Sequence, residues 1–400
     1  MRDLLLSSDF YPMIGGAHHW LYNLYSRWPT QVTAFVDSKL NNDTEAAAQQ
    51  RIFDSENHGS LLIRRIDLSF PNIDIINSVF WKTLINTVRL ISAETGNCPT
   101  TLHCLRAFPD GILGLAWKAV APRKRHIVTF AHGEEIFVAR SSRQLQTLSS
   151  WVYKTSALVI ANSLNTEMLV RSLTPSARIA VIHPGVDSTA FTFSEEEKAQ
   201  YRTLYGFTPD DVVLVTVGRL EVRKNHTNVL KAIHRLRDSG LPLKYLIVGA
   251  GEEERSLRNL VKDLCLDQAV KFTGIITDHE RSLAMALADI HIMPSIKHAQ
   301  MIEGFGIVFI EAAAAGIPSI AGNTGGQTEA VMDGKTGLVI DGTNINAIID
   351  AIQQLAENQQ LRHKLGESGR QWAAAHEWQT VVAETVQTVS HTIKNRTNLK

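Results

Sequence analysis

Residues 212–248 read VVLVTVGRLEVRKNHTNVLKAIHRLRDSGLPLKYLIV: an apolar run, a polar turn with a glycine, a helical pattern, and a second apolar run. Val212 to Val217 and Tyr245 to Val248 are short and rich in β-branched residues, as strands buried on both faces are. A helix between two such strands is the parallel crossover unit. The same alternation runs outward in both directions. Toward the C-terminus, strands are expected at Val270 to Phe272, Ile290 to Met293, Ser319 to Ala321 and Leu338 to Ile340. Toward the N-terminus they are expected at Leu4 to Leu6, Val32 to Val36, Leu61 to Ile63, Thr101 to Cys104, Ile127 to Phe130, Leu158 to Ala161 and Ile179 to Ile182. Leu257, Leu260, Val261 and Leu264, and again Ile345, Ile348, Ile349 and Ile352, repeat at i, i+3, i+4, i+7 and lay one apolar stripe on a sheet.

Thirteen strands exceed one open doubly wound sheet. The chain therefore divides, with the seam between Ile182 and Arg202, where HPGVD makes a turn and SEEEKAQ a polar run. The expected class is α/β, with two Rossmann-like doubly wound parallel-sheet domains facing a deep cleft. The 400 residues suit that division, and 40 basic against 40 acidic side chains leave no net charge to favour nucleic acid. Three cysteines give no disulfide framework. His103 beside Cys104 has no second ligand pair nearby, so metal binding there is a remote reading. Leu4 to Leu6 is shorter than the about 7–15 apolar residues of a secretory segment. The most apolar tract, GFGIVFIEAAAAGIPSIAG, is interrupted by Glu311, Pro318 and glycines. A cytoplasmic protein is expected.

Ligands of such sheets bind beyond the carboxyl ends of the strands, so the loops there are the place to look. After the first strand, SSDFYPMIGGAHHW has Pro12 fixing the chain, then Gly15 and Gly16 before a helix near Ala17. This is either a plain strand-to-helix turn or a phosphate seat at a bare helix start. His18 and His19 are adjacent and face different sides; neither is given a role. GAGEEER lacks a third glycine and sets Glu252 to Glu254 where a pyrophosphate would lie, which excludes a dinucleotide there. GRLEVRKNH brings out Arg219 and Lys224 past Gly218, two cations able to hold a diphosphate without a metal, or a solvated basic turn. In SIKHAQMIEGFGIVFIEAAAAGIP, Glu303 precedes Gly304-Phe305-Gly306, and Glu311 follows eight positions on, in a helix starting near Ile307. Eight helical residues would separate the two carboxylates by roughly 12 Å, the reach from a ribose to a transferred sugar. AGNTGGQTEAV, with Thr324, Gly325, Gly326 and then Glu329, is a weaker anion-site candidate. His132, in TFAHGEE, stands at a strand end and is either structural or a cleft residue.

Taken together, GRLEVRK, EGFGIVFIE and GNTGG resemble the retaining glycosyltransferases of the GT-B fold, fourth sequence family, over nearly the whole chain. FYPMIGG, HPGVD, EGFGIVFIEA and IAGNTGG are similar to the phosphatidylinositol mannosyltransferase-like enzymes of the bacterial envelope. The resemblance implies an acceptor domain over 1–187, a donor domain over 188–377, and a last segment, 378–400, whose helix (Trp378 to Ile393) crosses back to the first domain. It implies transfer of a hexose, mannose before glucose, from GDP-mannose or a UDP-sugar, to an envelope glycan or glycolipid with α-linkage. It implies no metal or other cofactor. At matching positions, Gly15 and Gly16 meet the donor diphosphate. Arg219 and Lys224, past Gly218, stabilise the departing diphosphate. Glu303 contacts the transferred sugar and Glu311 the ribose. Phe305, Gly306 and Ile307 line the pocket, His132 lies near the reacting centre, and Ile275 lies near the base. Gly133 stands where relatives often carry an acid after the histidine.

No second carboxylate is spaced to act as a nucleophile, so attack from the leaving-group face is the implied course. Another GT-B reaction (a nucleotide-sugar epimerase or a phosphorylase) and a non-catalytic sugar-nucleotide-binding subunit are the alternatives. A lipid-linked acceptor would bring the protein to the inner face of the membrane, where Arg123, Lys124 and Arg125 form a small basic cluster. Because Glu303 and Arg219 read as loop residues, alanine at either is expected to leave the fold intact.

Overall fold

A computed structural model describes residues 2–11, 15–38, 44–68, 78–299 and 301–398; Pro12 lies outside them. Among the described residues, the chain forms two all-parallel sheets. The first contains β1 (Arg2–Ser7), β2 (Val32–Asp37), β3 (Leu61–Ile66), β4 (Thr100–Cys104), β5 (Arg125–Ala131), β6 (Leu158–Ala161) and β7 (Ile179–Val181), in the order β3-β2-β1-β4-β5-β6-β7. The second contains β8 (Val212–Val217), β9 (Leu243–Val248), β10 (Val270–Gly274), β11 (Ile290–Met293), β12 (Ser319–Gly322) and β13 (Gly337–Ile340), in the order β10-β9-β8-β11-β12-β13. Every strand expected from an apolar run is present. Both sheets are doubly wound, with the order reversing between β1 and β4 in the first and between β8 and β11 in the second.

The alternation of side chains in β8 and β9 shows why these runs must be apolar throughout. Leu214, Tyr245 and Ile247 join one core with Ile290, Ile292 and Ile320. Val213, Val215, Val217, Leu246 and Val248 join another, on the opposite face, with the alanines of the helix Ile307–Ala315. With both faces covered, a strand has no polar side.

Chain contacts divide the protein into one unit of residues 1–184 with 378–400 and another of residues 185–377. The last helix, Trp378–Asn398, belongs to the first unit, where the buried Trp378 ring meets His19 edge-on at 6.3 Å. Of the basic cluster at 123–125, Arg123 and Lys124 are exposed and Arg125 is not. Arg125 is buried, with its guanidinium 4.8 Å from the centre of the Trp117 ring and Nη1 donating to the Trp117 carbonyl at 2.5 Å. It opens β5 and satisfies a helix carbonyl instead of facing solvent. Among the described residues, no helix is long and apolar enough to cross a membrane.

In the second unit, the helix Ile307–Ala315 crosses Gln359–Ala374 at Gly366. A β-carbon at Gly366 would stand 2.0 Å from the Gly316 carbonyl oxygen. Alanine in a helix interior normally stabilises by roughly 0.5–1 kcal/mol over glycine. Here the helices must separate, a strain of typically about 1–3 kcal/mol. Gly366→Ala is expected to lower stability by about 1–2 kcal/mol in urea unfolding; a more stable variant would show that the helices are not in backbone contact.

Candidate active site

At the second sheet's switch point the loops after β8 and β11 interlock. Past Gly218 the chain makes a short 3-10 turn, Val222–Lys224, and Asn225 takes a left-handed conformation (φ 66°). The Asn225 amide donates to the carbonyls of Pro294 (3.1 Å) and Gly342 (2.7 Å), and the Ile296 N–H donates to the Arg223 carbonyl at 2.9 Å. These bonds fix the turn against the β11 loop and aim its two basic side chains at Glu303. Lys224 Nζ donates to Glu303 Oε2 at 2.5 Å, and Arg223 Nη1 donates to the same oxygen at 2.8 Å. Arg223 Nε donates to Glu221 Oε2 at 2.7 Å, and Arg219 Nη1 pairs with Glu221 Oε1 at 2.6 Å. A single ionic chain thus runs Arg219–Glu221–Arg223–Glu303–Lys224. Burial acts to raise the Glu303 pKa, but the Lys224 and Arg223 charges and hydrogen bonds outweigh it and hold it down at about 2.

Arg223 is the member that the sequence reading missed. Of the three basic side chains in the turn, Arg219 is exposed while Arg223 and Lys224 are buried. Glu303 likewise is no solvated loop residue: it keeps only 12% of its side-chain surface. Alanine there would remove the carboxylate that the buried Lys224 and Arg223 share, leaving Arg223 its bond to Glu221, so the expectation of an undisturbed fold is corrected for Glu303. Arg219, with 55% of its side chain exposed, remains a loop residue.

The segment between the two carboxylates also differs from expectation. The helix begins at Ile307, after Gly306 in a left-handed conformation (φ 87°), and no side chain caps it. A β-carbon at Gly306 would strike the Phe309 ring at 2.6 Å. Glu303 is therefore outside the helix, and the eight-residue helical span does not apply: the glycines turn it back toward the β8 loop. Phe305 packs its side chain with Met293, Phe309 and Ala321 in the core. Ile307 sits in the first turn. Glu311 lies within the helix and is buried; its Oε1 accepts from Arg281 Nη1 at 2.6 Å, and its Oε2 is buried without a hydrogen-bond partner. The Arg281 pKa is raised, chiefly by the Glu311 charge.

GNTGG has a packing role. A β-carbon at Gly325 would lie 2.3 Å from the Glu303 carbonyl oxygen and one at Gly326 would lie 2.0 Å from that of Gly304. The Gly326 N–H donates to the Glu303 carbonyl at 2.9 Å. This loop clamps the backbone that carries Glu303. The glycines of GAGEEER are also demanded by packing: a β-carbon at Gly249 would meet the Gly218 carbonyl oxygen at 2.1 Å. Ile275, 68% exposed, follows the edge strand β10.

Gly15, Gly16 and His132 belong to the first unit. Gly16 opens the helix Gly16–Ser26, whose start has no side-chain cap. His132, after β5, places Nε2 3.0 Å from the Leu105 carbonyl, and its ring meets Trp20 edge-on at 5.4 Å. A carbonyl only accepts, so Nε2 carries the proton and Nδ1 the lone pair. Burial, with the nearby Arg106 charge, pushes the His132 pKa down to about 3, so the ring is neutral at physiological pH. Asp110, after β4, was not foreseen. It is fully buried, Oδ1 accepts from the Ser8 N–H at 2.8 Å and Oδ2 has no hydrogen-bond partner. Burial raises its pKa to about 7 against the pull of Arg106 and Ser8. The loop after each strand was the place to look, and LRAFPDG was passed over. His103 is buried against Asp3 at 3.3 Å, and no group of three or more His, Cys, Asp or Glu among the described residues could hold a metal ion.

Two family profiles match the chain: glycosyl transferases group 1 over residues 197–372, and Glycosyltransferase Family 4 over residues 14–190. A GDP-mannose-dependent alpha-(1-6)-phosphatidylinositol monomannoside mannosyltransferase of Mycobacterium tuberculosis is 32% identical over 96% of this chain and 96% of its own. A GDP-mannose-dependent monoacylated alpha-(1-6)-phosphatidylinositol monomannoside mannosyltransferase of Corynebacterium glutamicum is 26% identical over 94% of each. In fold, the chain matches HepE of Anabaena, solved with UDP-glucose, at a TM-score of 0.80 and 18% identity, over 98% of this chain and 100% of that one. The parallel sheets, the carboxylates around GFG and these matches agree: the chain belongs to the family 4 glycosyltransferases, of GT-B fold, and is a relative of the phosphatidylinositol-mannoside mannosyltransferases.

Proposed function

We propose that this enzyme transfers a hexose, mannose before glucose, from a nucleoside-diphosphate sugar to a glycan or lipid-linked acceptor of the cell envelope, with retention and α-linkage. The observation that carries the reading is Glu303, held ionised by Lys224 and Arg223 at the switch point and followed in the next helix by Glu311 with one buried carboxylate oxygen unpartnered. The relatives' use of GDP-mannose supports mannose as the sugar and GDP as the carrier.

In this reading both cations bond Oε2 of Glu303, which directs Oε1 to the hydroxyls of the transferred sugar. Glu311 Oε2 accepts from a ribose hydroxyl, and Arg281 holds Glu311 in place through Oε1. Departure of the sugar puts charge on the diphosphate and oxocarbenium character on the anomeric carbon. Arg219 and Lys224 meet the first, with backbone N–H groups at Gly306–Ile307 in support; in the first unit, the uncapped helix start at Gly15–Gly16 is offered as a phosphate contact. The fixed positive charge of Arg219 and Lys224 supports catalysis without a bound metal. In the first unit, His132 is neutral, and its Nδ1 is an acceptor for a sugar hydroxyl. The acceptor attacks from the face of the leaving group, and its proton passes to the departing diphosphate.

Membrane association at the cytoplasmic face suits a lipid-linked acceptor. The exposed Arg123 and Lys124 support it, as does the helix Ser78–Thr95, where exposed Val79, Trp81, Ile85 and Leu90 stand among exposed Lys82 and Arg89.

Arg219→Ala is expected to keep the parent's melting temperature and to lose about 10²–10³ in kcat for hexose transfer, the cost of removing one charge-stabilising donor. Glu303→Gln should lose a similar factor; it too removes the charge that the buried cations share, so both it and Glu303→Ala should lose stability, the alanine more, by about 3–5 kcal/mol. Parent-like transfer by both Arg219→Ala and Glu303→Gln would overturn the assignment. Sedimentation with vesicles containing anionic lipid should fall for Ile85→Glu; equal sedimentation would remove that helix as the contact surface.

A further inference from the structure

Glu221 is a carboxylate with a basic partner on each oxygen, and the two partners differ in kind. Arg223 is buried (4% of its side chain exposed) and is held besides by Glu303. Arg219 is 55% exposed and pairs with Oε1 of Glu221 at 2.6 Å. The first contact anchors Glu221; the second holds a solvent-facing cation that, in the donor-site reading above, must meet a diphosphate. An exposed guanidinium on a long side chain otherwise samples many rotamers. Pairing to an anchored carboxylate restricts it and, at the same time, competes with the anion it is to bind.

We propose that Glu221 is a positioning residue that holds Arg219 and yields it to the donor diphosphate, an exchange of one anionic partner for another. This rests on the donor-site reading. The exchange has two consequences. Nucleotide binding is weaker than the cations alone would give, and the product nucleoside diphosphate is released more readily, because Glu221 stands ready to take Arg219 back. An exchange of this kind spends affinity on turnover, since a site that holds diphosphate too firmly is slowed at product release.

The test is equilibrium titration of the full chain with GDP and, in parallel, UDP. Glu221→Gln keeps the shape and an acceptor for Arg223 but removes the charge that holds Arg219. It should bind the preferred nucleotide about two- to fivefold more tightly, the scale of an exposed ion pair, and release it more slowly. In an Arg219→Gln background the same change should have no effect. If Glu221→Gln fails to fold, Glu221→Asp, with a shorter arm, should shift affinity in the same direction by less. Unchanged or weaker binding by the single variant would overturn the proposal, as would equal tightening in the Arg219→Gln background, which would make Glu221 a direct repulsive charge. Absence of binding to the parent by either nucleotide would instead overturn the donor-site reading itself.

Discussion

The Glu303 carboxylate accepts from Lys224 Nζ and Arg223 Nη1 on one oxygen, in a site where Lys224 and Arg223 are buried and Glu303 keeps only a sliver of exposed surface. Much of the second unit's chemistry depends on that contact. A carboxylate so far from water is costly unless paired, and two basic residues next to each other in sequence are costly unless they share an anion. The backbone is built to permit it. Gly325 and Gly326 let one loop lie against the carbonyls of Glu303 and Gly304, Gly306 turns the chain into its helix, and Asn225 ties the 3-10 turn to two other loops. The pairing also links Arg219, Arg223 and Lys224 to Glu221 and Glu303 in one ionic chain, with Arg219 at its exposed end.

In the proposed function, a diphosphate at Arg219 meets a guanidinium that Glu221 already orients, so little reorganisation is needed when the leaving group becomes more negative. In the second unit, the paired cations keep Glu303 ionised at physiological pH, with its pKa at about 2; in the first, burial keeps His132 neutral, with its pKa at about 3.

The strands could be read from the chain because a sheet covered on both faces requires unbroken runs such as Val212–Val217, and glycines and helical periods separate those runs. The helix start at Ile307 was legible for the same reason: Gly306 is the residue a left-handed turn accepts. Side-chain partnerships were not legible. Arg223 and Lys224 are neighbours in a basic turn, and nothing local says that both reach Glu303, about eighty positions on. Arg281 and Glu311 are joined across thirty positions by the packing of two helices. Glycines were ambiguous in kind: those at 325 and 326 look like an anion seat but are required by backbone contact. Asp110 carries no periodic signal, and burial alone, which no short motif encodes, makes it unusual.

The central claim is a donor site for a nucleoside diphosphate that works through fixed cations. The most direct measurement is the melting temperature of the protein with GDP, UDP, ADP and their common sugar conjugates, with magnesium and with a chelator in its place. A ligand that binds only the folded chain stabilises it by about 2.7 kcal/mol at a hundredfold excess over its dissociation constant. The account predicts a clear upward shift with one base, GDP first, equal with and without magnesium. No shift with any nucleotide, or a shift that needs magnesium, would contradict it.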